Sequence, residues 1–342
     1  MDVARTAGVS LATASRALGT SAVVLPDTRE RVRQAASMLG YVPHGAARAL
    51  ASRRSRTIGA VLPTIDNPIF ASATHALARE LARESYTLLL ASDEYDPRME
   101  ASVTRTLIER GVDGLVLVGI DHPPALFHAM AQASVPYELL WTIDPNRFHH
   151  CIGFDNREAS ARCARHLLDL GHRDFAVLSG ELRNNDRARD RVAGVRDALA
   201  ARNIGLPPER IVETPFSLGG GRAGVRALWD RLGKDGFTAL VCGNDLIALG
   251  ALIECATQGV PVPGMLSVVG FDDIELAAEF SPALTTIHVP SADLGRIAAE
   301  RLLARLAGKR VPRMHQIQVE LVVRGSTASA APGRKRDRPR RT

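Results

Sequence analysis

The fold class this sequence predicts is α/β: a small all-α head followed by a body of two doubly wound parallel-sheet subdomains. Three observations carry it. The first 40 residues spell short helical patterns and no strand. From Thr57 onward, short unbroken apolar runs alternate with amphipathic stretches, the mark of parallel strands covered on both faces. Those runs fall into two sets, and 342 residues suit more than one compact unit.

Composition bounds the rest. An apolar fraction of 46% allows a large core. No segment approaches the ~18 uninterrupted apolar residues of a membrane span, and no apolar secretory leader opens the chain, so a cytoplasmic protein is expected. Cys151, Cys163, Cys242 and Cys255 lack metal-site spacing and read as small buried hydrophobes. Charge is uneven. Residues 1–56 hold nine arginines against three carboxylates, and residues 331–342 hold five arginines and Lys335 against Asp337, while the formal net charge is only +6. The ends are cationic and the middle mildly acidic, which suits a polyanionic partner as well as a solvated surface.

In the head, Asp2 to Ala7 forms a short helix and Gly8 a turn. Ser10 is a good N-cap for a second helix, Leu11–Leu18, which Gly19 can end. Val3, Ala7, Val9, Ala14 and Leu18 supply a shared core, with alanines letting the backbones approach. This is a helix-turn-helix pattern. A third helix is expected over Thr28–Leu39, with Val32, Ala35, Ala36 and Leu39 as its stripe and Gly40 as C-cap. After Pro43, Gly45–Ala51 can form two turns of helix, too short to be stable alone in water.

In the body, one set of strands is expected at 58–63, 86–92, 114–119, 135–141 and 151–155. A second is expected at 175–180, 239–244, 266–272 and 284–289. Helices are expected at Ala71–Glu84, Met99–Arg110, Glu158–Leu170, Arg191–Arg202, Ala223–Leu232 and Asp245–Gln258. "AERLLARLAG" reads as a closing helix, and "HQIQVELVVR" as one further strand. Two doubly wound units place a ligand at the strand C-termini, in the cleft between them. The boundaries are a head at 1–43, a hinge and linker at 44–56, a body at 57–327, and a basic, disordered tail at 328–342.

Two motifs are set aside. "GGGRAG" matches G-x-G-x-x-G at Gly219, Gly221 and Gly224, but the run before it, "IVETP", is poorly apolar and Pro215 intervenes. "FHHC" reads as a surface turn, since adjacent histidines on a strand do not face one ion easily. No nucleophile with a spaced base and orienter stands out, so neither an enzyme nor a cofactor is expected.

The head segments "DVARTAGVSLATASRALG" and "LPDTRERVRQAASMLGYVPHGAARAL" resemble the lactose-repressor (LacI/GalR) family of bacterial transcription regulators. The body resembles that family's core, which is periplasmic-binding-protein-like, through Gly153-Phe154-Asp155-Asn156, Leu170-Gly171-His172, Arg191-x-x-Gly194, Asn244-Asp245, Val269 to Asp273, Leu284 to Ile287 and Val323 to Ser326. Together the resemblance covers about residues 2–327. In the family several residues precede Asp-Val-Ala; here Met1 does, so either the start lies upstream or the first helix frays.

The resemblance implies a repressor, a homodimer without a membrane partner, bound to double-stranded operator DNA. It puts Leu11 and Ala12 at variable base-reading positions and Arg16 at the constant one, with a guanine as the chemically best partner. Ser10, Thr13 and Ser15 suit phosphate oxygens. Leu50 matches the leucine that wedges between base pairs, Ala47 and Arg48 match its minor-groove neighbours, and His44 stands where the family usually has asparagine. It further implies a carbohydrate-like effector held by Phe70, Trp141, Phe154, Arg191, Phe216, Asn244 and Asp272. Asp272 and Asn244 suit vicinal hydroxyls, and Arg191 suits two oxygens of a polyol or a carboxylate. Phe70 and Phe216 would serve equally as core aromatics. "IGAVLPTIDNPIFA" and "GFDN" look closest to gluconate-type members, which puts a sugar acid ahead of a neutral sugar. The alternative is a solute-binding protein with the same core and no operator specificity. The basic tail either adds nonspecific DNA affinity or is only solvated; without a leucine heptad, it leaves a dimer rather than a tetramer.

Overall fold

The computed structural model describes residues 2–18, 24–41 and 54–330. The head comprises α1 (Asp2–Thr6), α2 (Leu11–Leu18) and α3 (Pro26–Met38). Val3, Ala4, Ala7, Ala14, Ala17, Val32, Ala35 and Ala36 form its small core. Gly8 and Gly40 have positive φ, as the two turns require. The hinge residues His44, Ala47, Arg48 and Leu50 lie outside the described residues, and so does Gly19.

The body begins with β1 (Thr57–Leu62), α4 (Pro68–Arg83), β2 (Thr87–Ser92), α5 (Pro97–Glu109), β3 (Gly114–Val118), α6 (Pro124–Gln132), β4 (Tyr137–Leu140) and β5 (Cys151–Gly153). It continues with α7 (Asn156–Asp169), β6 (Phe175–Ser179), α8 (Asp186–Ala200), β7 (Ile211–Glu213), α9 (Leu218–Leu232), β8 (Ala239–Cys242), α10 (Asp245–Thr257) and β9 (Ser267–Val269). It ends with α11 (Glu275–Glu279), β10 (Thr286–His288), α12 (Ser291–Leu306), β11 (Met314–Gln316) and β12 (Glu320–Val322).

Two sheets organise these elements. The first has the order β11-β5-β4-β3-β1-β2 and the second β7-β6-β8-β9, all strands parallel. Both have a reversal of strand order, between β1 and β3 and between β6 and β8, where a doubly wound sheet opens a crevice at its strand C-termini. Helices α4 and α12 pack together on the first sheet, α7 and α8 on the second, and α9 pairs with α10. The chain crosses between the two lobes three times, at 153–156, 288–291 and 316–320.

Several expectations need correcting. Residues 284–289 do lie parallel beside the end of β9, through the single bridges Val269–Thr285 and Asp272–His288, but the ladder partner of β10 is β12, antiparallel, in a two-stranded ribbon. "HQIQVELVVR" is two strands in different sheets, because the chain leaves the first lobe between them. "IVETP" contains an edge strand, β7, despite its polarity. The tail begins later than 328, because Ala330 N–H donates to Leu170 O and Ala328 O lies 3.0 Å from His172 Nε2. Helices α4, α5, α7, α8 and α9 start two to five residues earlier than the apolar stripe indicates, each at a side-chain cap: Asn67, Asp96, Asp155, Asn185 and Ser217. The cysteines are buried thiols.

The glycine-rich run serves packing. A Cβ on Gly221 would lie 2.1 Å from Ile247 O, so α9 and α10 approach closely only because Gly221 has none.

Candidate functional site

Every residue of the cleft follows the C-terminal end of a strand. Asn67, Ile69 and Phe70 come after β1, Tyr95 after β2 and Trp141 after β4. From the opposite lobe, Asn185, Arg187, Ala188 and Arg191 come after β6, Phe216 after β7, Asn244 after β8 and Asp272 after β9. Between them lies a cavity of about 30 Å³, room for one or two waters. Three helices, α4, α8 and α10, begin here, each capped by an asparagine. Their N-termini bring partial positive charge to the cavity wall.

Arg191 is held on all sides. Its Nε donates to Asn156 Oδ1 (3.0 Å), its Nη1 to Gly243 O (2.6 Å), and its Nη2 lies 4.0 Å from Asp272 Oδ1. The guanidinium sits 3.7 Å above the Phe271 ring. Asn156 spends its other atom on Trp141 O (2.8 Å), so one amide orients both the arginine and the tryptophan backbone. Burial pushes the Asp272 carboxyl up to about 8 against the pull of Arg191, and the same burial lowers the arginine. Asp272 and Asp273 are both in the left-handed region, with φ of 120° and 58°, and Trp141 has φ 59°. Such backbone costs about 1–3 kcal/mol each and collects at ligand clamps.

Two donors in this wall are unmatched. Asn244 is 1% exposed; its Oδ1 accepts from Ile247 N–H (2.9 Å), which caps α10 and leaves Nδ2 with no partner. Trp141 is 2% exposed, its ring meets Phe70 edge-on at 4.9 Å, and its Nε1 is also without a partner. Buried orphan donors are rare and costly, about 1–3 kcal/mol each. Both belong to cavity-lining residues.

Contacts also bridge the lobes around the cavity. Tyr95 stacks on Phe216 at 5.7 Å. Asp186 Oδ2 accepts from Ile120 N–H and from Thr142 Oγ1, both at 3.2 Å. Arg189 pairs with Asp121. Arg187 fills the space above Gly119, whose φ of 89° and missing Cβ admit it. Next to this seam, Asp93 is pushed up to about 6 by burial.

Of the residues expected at this site, Phe70, Trp141, Arg191, Phe216, Asn244 and Asp272 line one cavity. Phe154 does not; it lies one layer behind, stacked at 5.9 Å on Phe271. Asn67, Tyr95, Asn185 and Arg187 were not anticipated. Arg187 stands one helical turn before Arg191, a spacing that puts both on one face of α8.

The head presents a second surface. Leu11 is 60% exposed, Ser10, Ala12, Ser15 and Arg16 are exposed and Thr13 half-buried, while Ala14 and Ala17 face the core. Ser10 Oγ accepts from Thr13 N–H (3.1 Å) and meets Thr13 Oγ1 at 2.8 Å, so both hydroxyls take part in the cap of α2.

Comparison with known proteins covers both surfaces. Residues 1–44 match the model of bacterial regulatory proteins, lacI family, and residues 164–327 that of a periplasmic binding protein-like domain. The chain is 34% identical to the HTH-type transcriptional repressor PurR of Aliivibrio fischeri over 95% of this chain and 97% of the relative. It is 33% identical to the ribose operon repressor of Haemophilus influenzae, over 89% and 91%. A crystal structure of the Lac repressor dimer bound to operator and the anti-inducer ONPF superposes with a TM-score of 0.82 at 28% identity, covering 96% of this chain and 98% of that one.

Proposed function

The chain belongs to the lacI family of bacterial regulatory proteins, and from that premise we propose that it is a homodimeric, operator-binding repressor controlled by a small, acceptor-rich effector in the interlobe cavity. The observation that carries the effector half is the pair of orphaned donors, Trp141 Nε1 and Asn244 Nδ2, beside the fixed fork of Arg191. Asp272 provides the matching acceptor for a hydroxyl. Two arginines against one aspartate, with three helix N-termini, favour an anionic polyol, so a sugar acid of the gluconate type leads a neutral sugar.

Small-molecule pockets usually measure about 300–1,000 Å³, so a ligand of that size must part the Tyr95–Phe216 stack and the Arg189–Asp121 ion pair between the lobes. Effector binding is thereby linked to lobe geometry, and through residues 54–56 to the head. On DNA, the exposed face of α2 reads the major groove through Leu11, Ala12 and Arg16, Ser10, Thr13 and Ser15 approach phosphates, and Leu50 with His44, Ala47 and Arg48 acts in the minor groove.

The test is selection of genomic fragments by the full-length protein, repeated with gluconate, related sugar acids and neutral sugars. One or a few fragments retained at physiological salt, with retention altered by a sugar acid, is the expected result. Equal retention of all fragments, vanishing as salt rises, would leave only nonspecific polyanion binding.

A further inference from the structure

The last residues before the body are fastened to it by one side chain that no expectation singled out. Asp113 stands at the foot of β3, half-buried. Its Oδ1 accepts from Ser55 N–H (2.9 Å) and from Ser55 Oγ–H (3.2 Å), and its Oδ2 accepts from Arg56 N–H (2.9 Å). Its own N–H donates to Thr57 O (2.7 Å). Arg56 has φ 55°, a left-handed conformation that a non-glycine residue keeps only when its surroundings impose it. Two further contacts join this stretch to helix ends: Arg54 Nη2 donates to Leu306 O at the end of α12, and Arg56 Nη1 to Glu84 O after α4.

We propose that Asp113 is the positioning residue that makes residues 54–56 part of the first lobe and so sets where the linker leaves it for operator binding. The placement in the sheet supports this. β3 is a central strand, fully buried, with Asp113 at one end and Gly119, against Arg187 of the other lobe, at the other. Five residues of strand span roughly 15 Å as a stiff element. Helix α4 likewise runs from Asn67 and Phe70 in the cavity wall to Glu84 beside Arg56. Both elements reach from the cavity to the linker, and the Asp113 carboxylate is the fastening at the linker end. A linker held this way has less conformational freedom to lose when the head engages DNA.

This inference rests on the operator-binding reading, and the experiment separates their failures. Full-length wild type, Asp113→Ala and Asp113→Asn are compared by hydrogen exchange over residues 54–57, by affinity for a fragment selected with the wild type, by affinity for unrelated duplex DNA and by thermal melting. In Asp113→Ala the amides of Ser55 and Arg56 exchange at least about tenfold faster. Affinity for the selected fragment falls about tenfold, affinity for unrelated DNA stays within about twofold, and the melting temperature of the body holds. Asp113→Asn, which keeps one acceptor oxygen, falls between. Faster exchange with unchanged specific affinity overturns the proposal, as does a parallel loss of melting temperature and of both affinities, the mark of a merely structural role. If the wild type retains no fragment, the operator-binding reading itself fails.

Discussion

Replacing Asn244 by serine separates stability from ligand binding. In the wild type the side chain has two atoms with opposite effects: Oδ1 caps α10 at Ile247 N–H, and Nδ2 is buried without a partner. A cap is worth about 0.5–2 kcal/mol, and an orphaned buried donor costs about 1–3 kcal/mol. Serine keeps a capping oxygen and deletes the orphan, so the ligand-free Asn244→Ser protein should be about 0.5–1.5 kcal/mol more stable, a rise of roughly 2–4 °C per kcal/mol in Tm. Alanine deletes both, so Asn244→Ala should be close to neutral. Both should weaken effector binding by about 1–2 kcal/mol, roughly 5- to 30-fold in Kd, because a ligand oxygen loses its donor. Urea unfolding without ligand and calorimetric titration with the sugar acid found by screening read the two effects. If Asn244→Ser is no more stable than wild type, or binds the effector as tightly, Nδ2 is not an unmet donor facing the ligand.

Three other outcomes are expected. Gly221→Ala should cost about 1–3 kcal/mol by forcing α9 from Ile247 O, whereas Gly219→Ala, whose added Cβ meets nothing closer than 3.9 Å, should be neutral or gain about 0.5 kcal/mol; urea midpoints of equal sign would disprove the close-approach reading. Arg16→Ala should cost about 1–3 kcal/mol in operator binding and relax one base position, read by competition among single-base variants of the selected fragment; uniform weakening across all variants would make Arg16 a phosphate contact. Asp93 has a folded value of about 6 against an ordinary 3.8, so its contribution is fully present below about pH 4 and lost as pH rises through 6. Asp93→Asn should therefore match wild type near pH 4 and exceed it by about 1–2 kcal/mol at pH 7.5, an advantage that must grow with pH in paired urea melts.

The alternation of apolar runs and amphipathic stretches made both sheets legible, since buried parallel strands such as "GLVLVG" allow few other readings. Helix starts were misplaced for a specific reason. The apolar stripe begins only after the first turn, but the caps were already written in Asn67-Pro68, Asp96-Pro97 and Asn185. The ribbon was missed because the crossing between lobes, Ile317 to Val319, buries its two aliphatic residues on either side of the exposed Gln318, an alternation that reads as strand. At the cavity, residues carried by a motif were found, while Tyr95 was not. Its place depends on left-handed backbone at Glu94 and Tyr95, which no side-chain pattern announces. Phe154 lies outside the cavity lining, stacked on the Phe271 ring beneath the Arg191 guanidinium, a depth that its place in a recurrent motif does not announce.

The triple passage of the backbone between the lobes also governs how the protein is born. The first sheet has most of its strands by residue 153, yet its covering helix α12 and its edge strand β11 end only at residue 316. At roughly 5–20 residues per second, the ribosome leaves that half-finished sheet exposed for about 10–30 s while the other lobe is being made. Chaperone demand should therefore peak late in translation, and a truncated message ending anywhere before residue 316 yields neither lobe in working form.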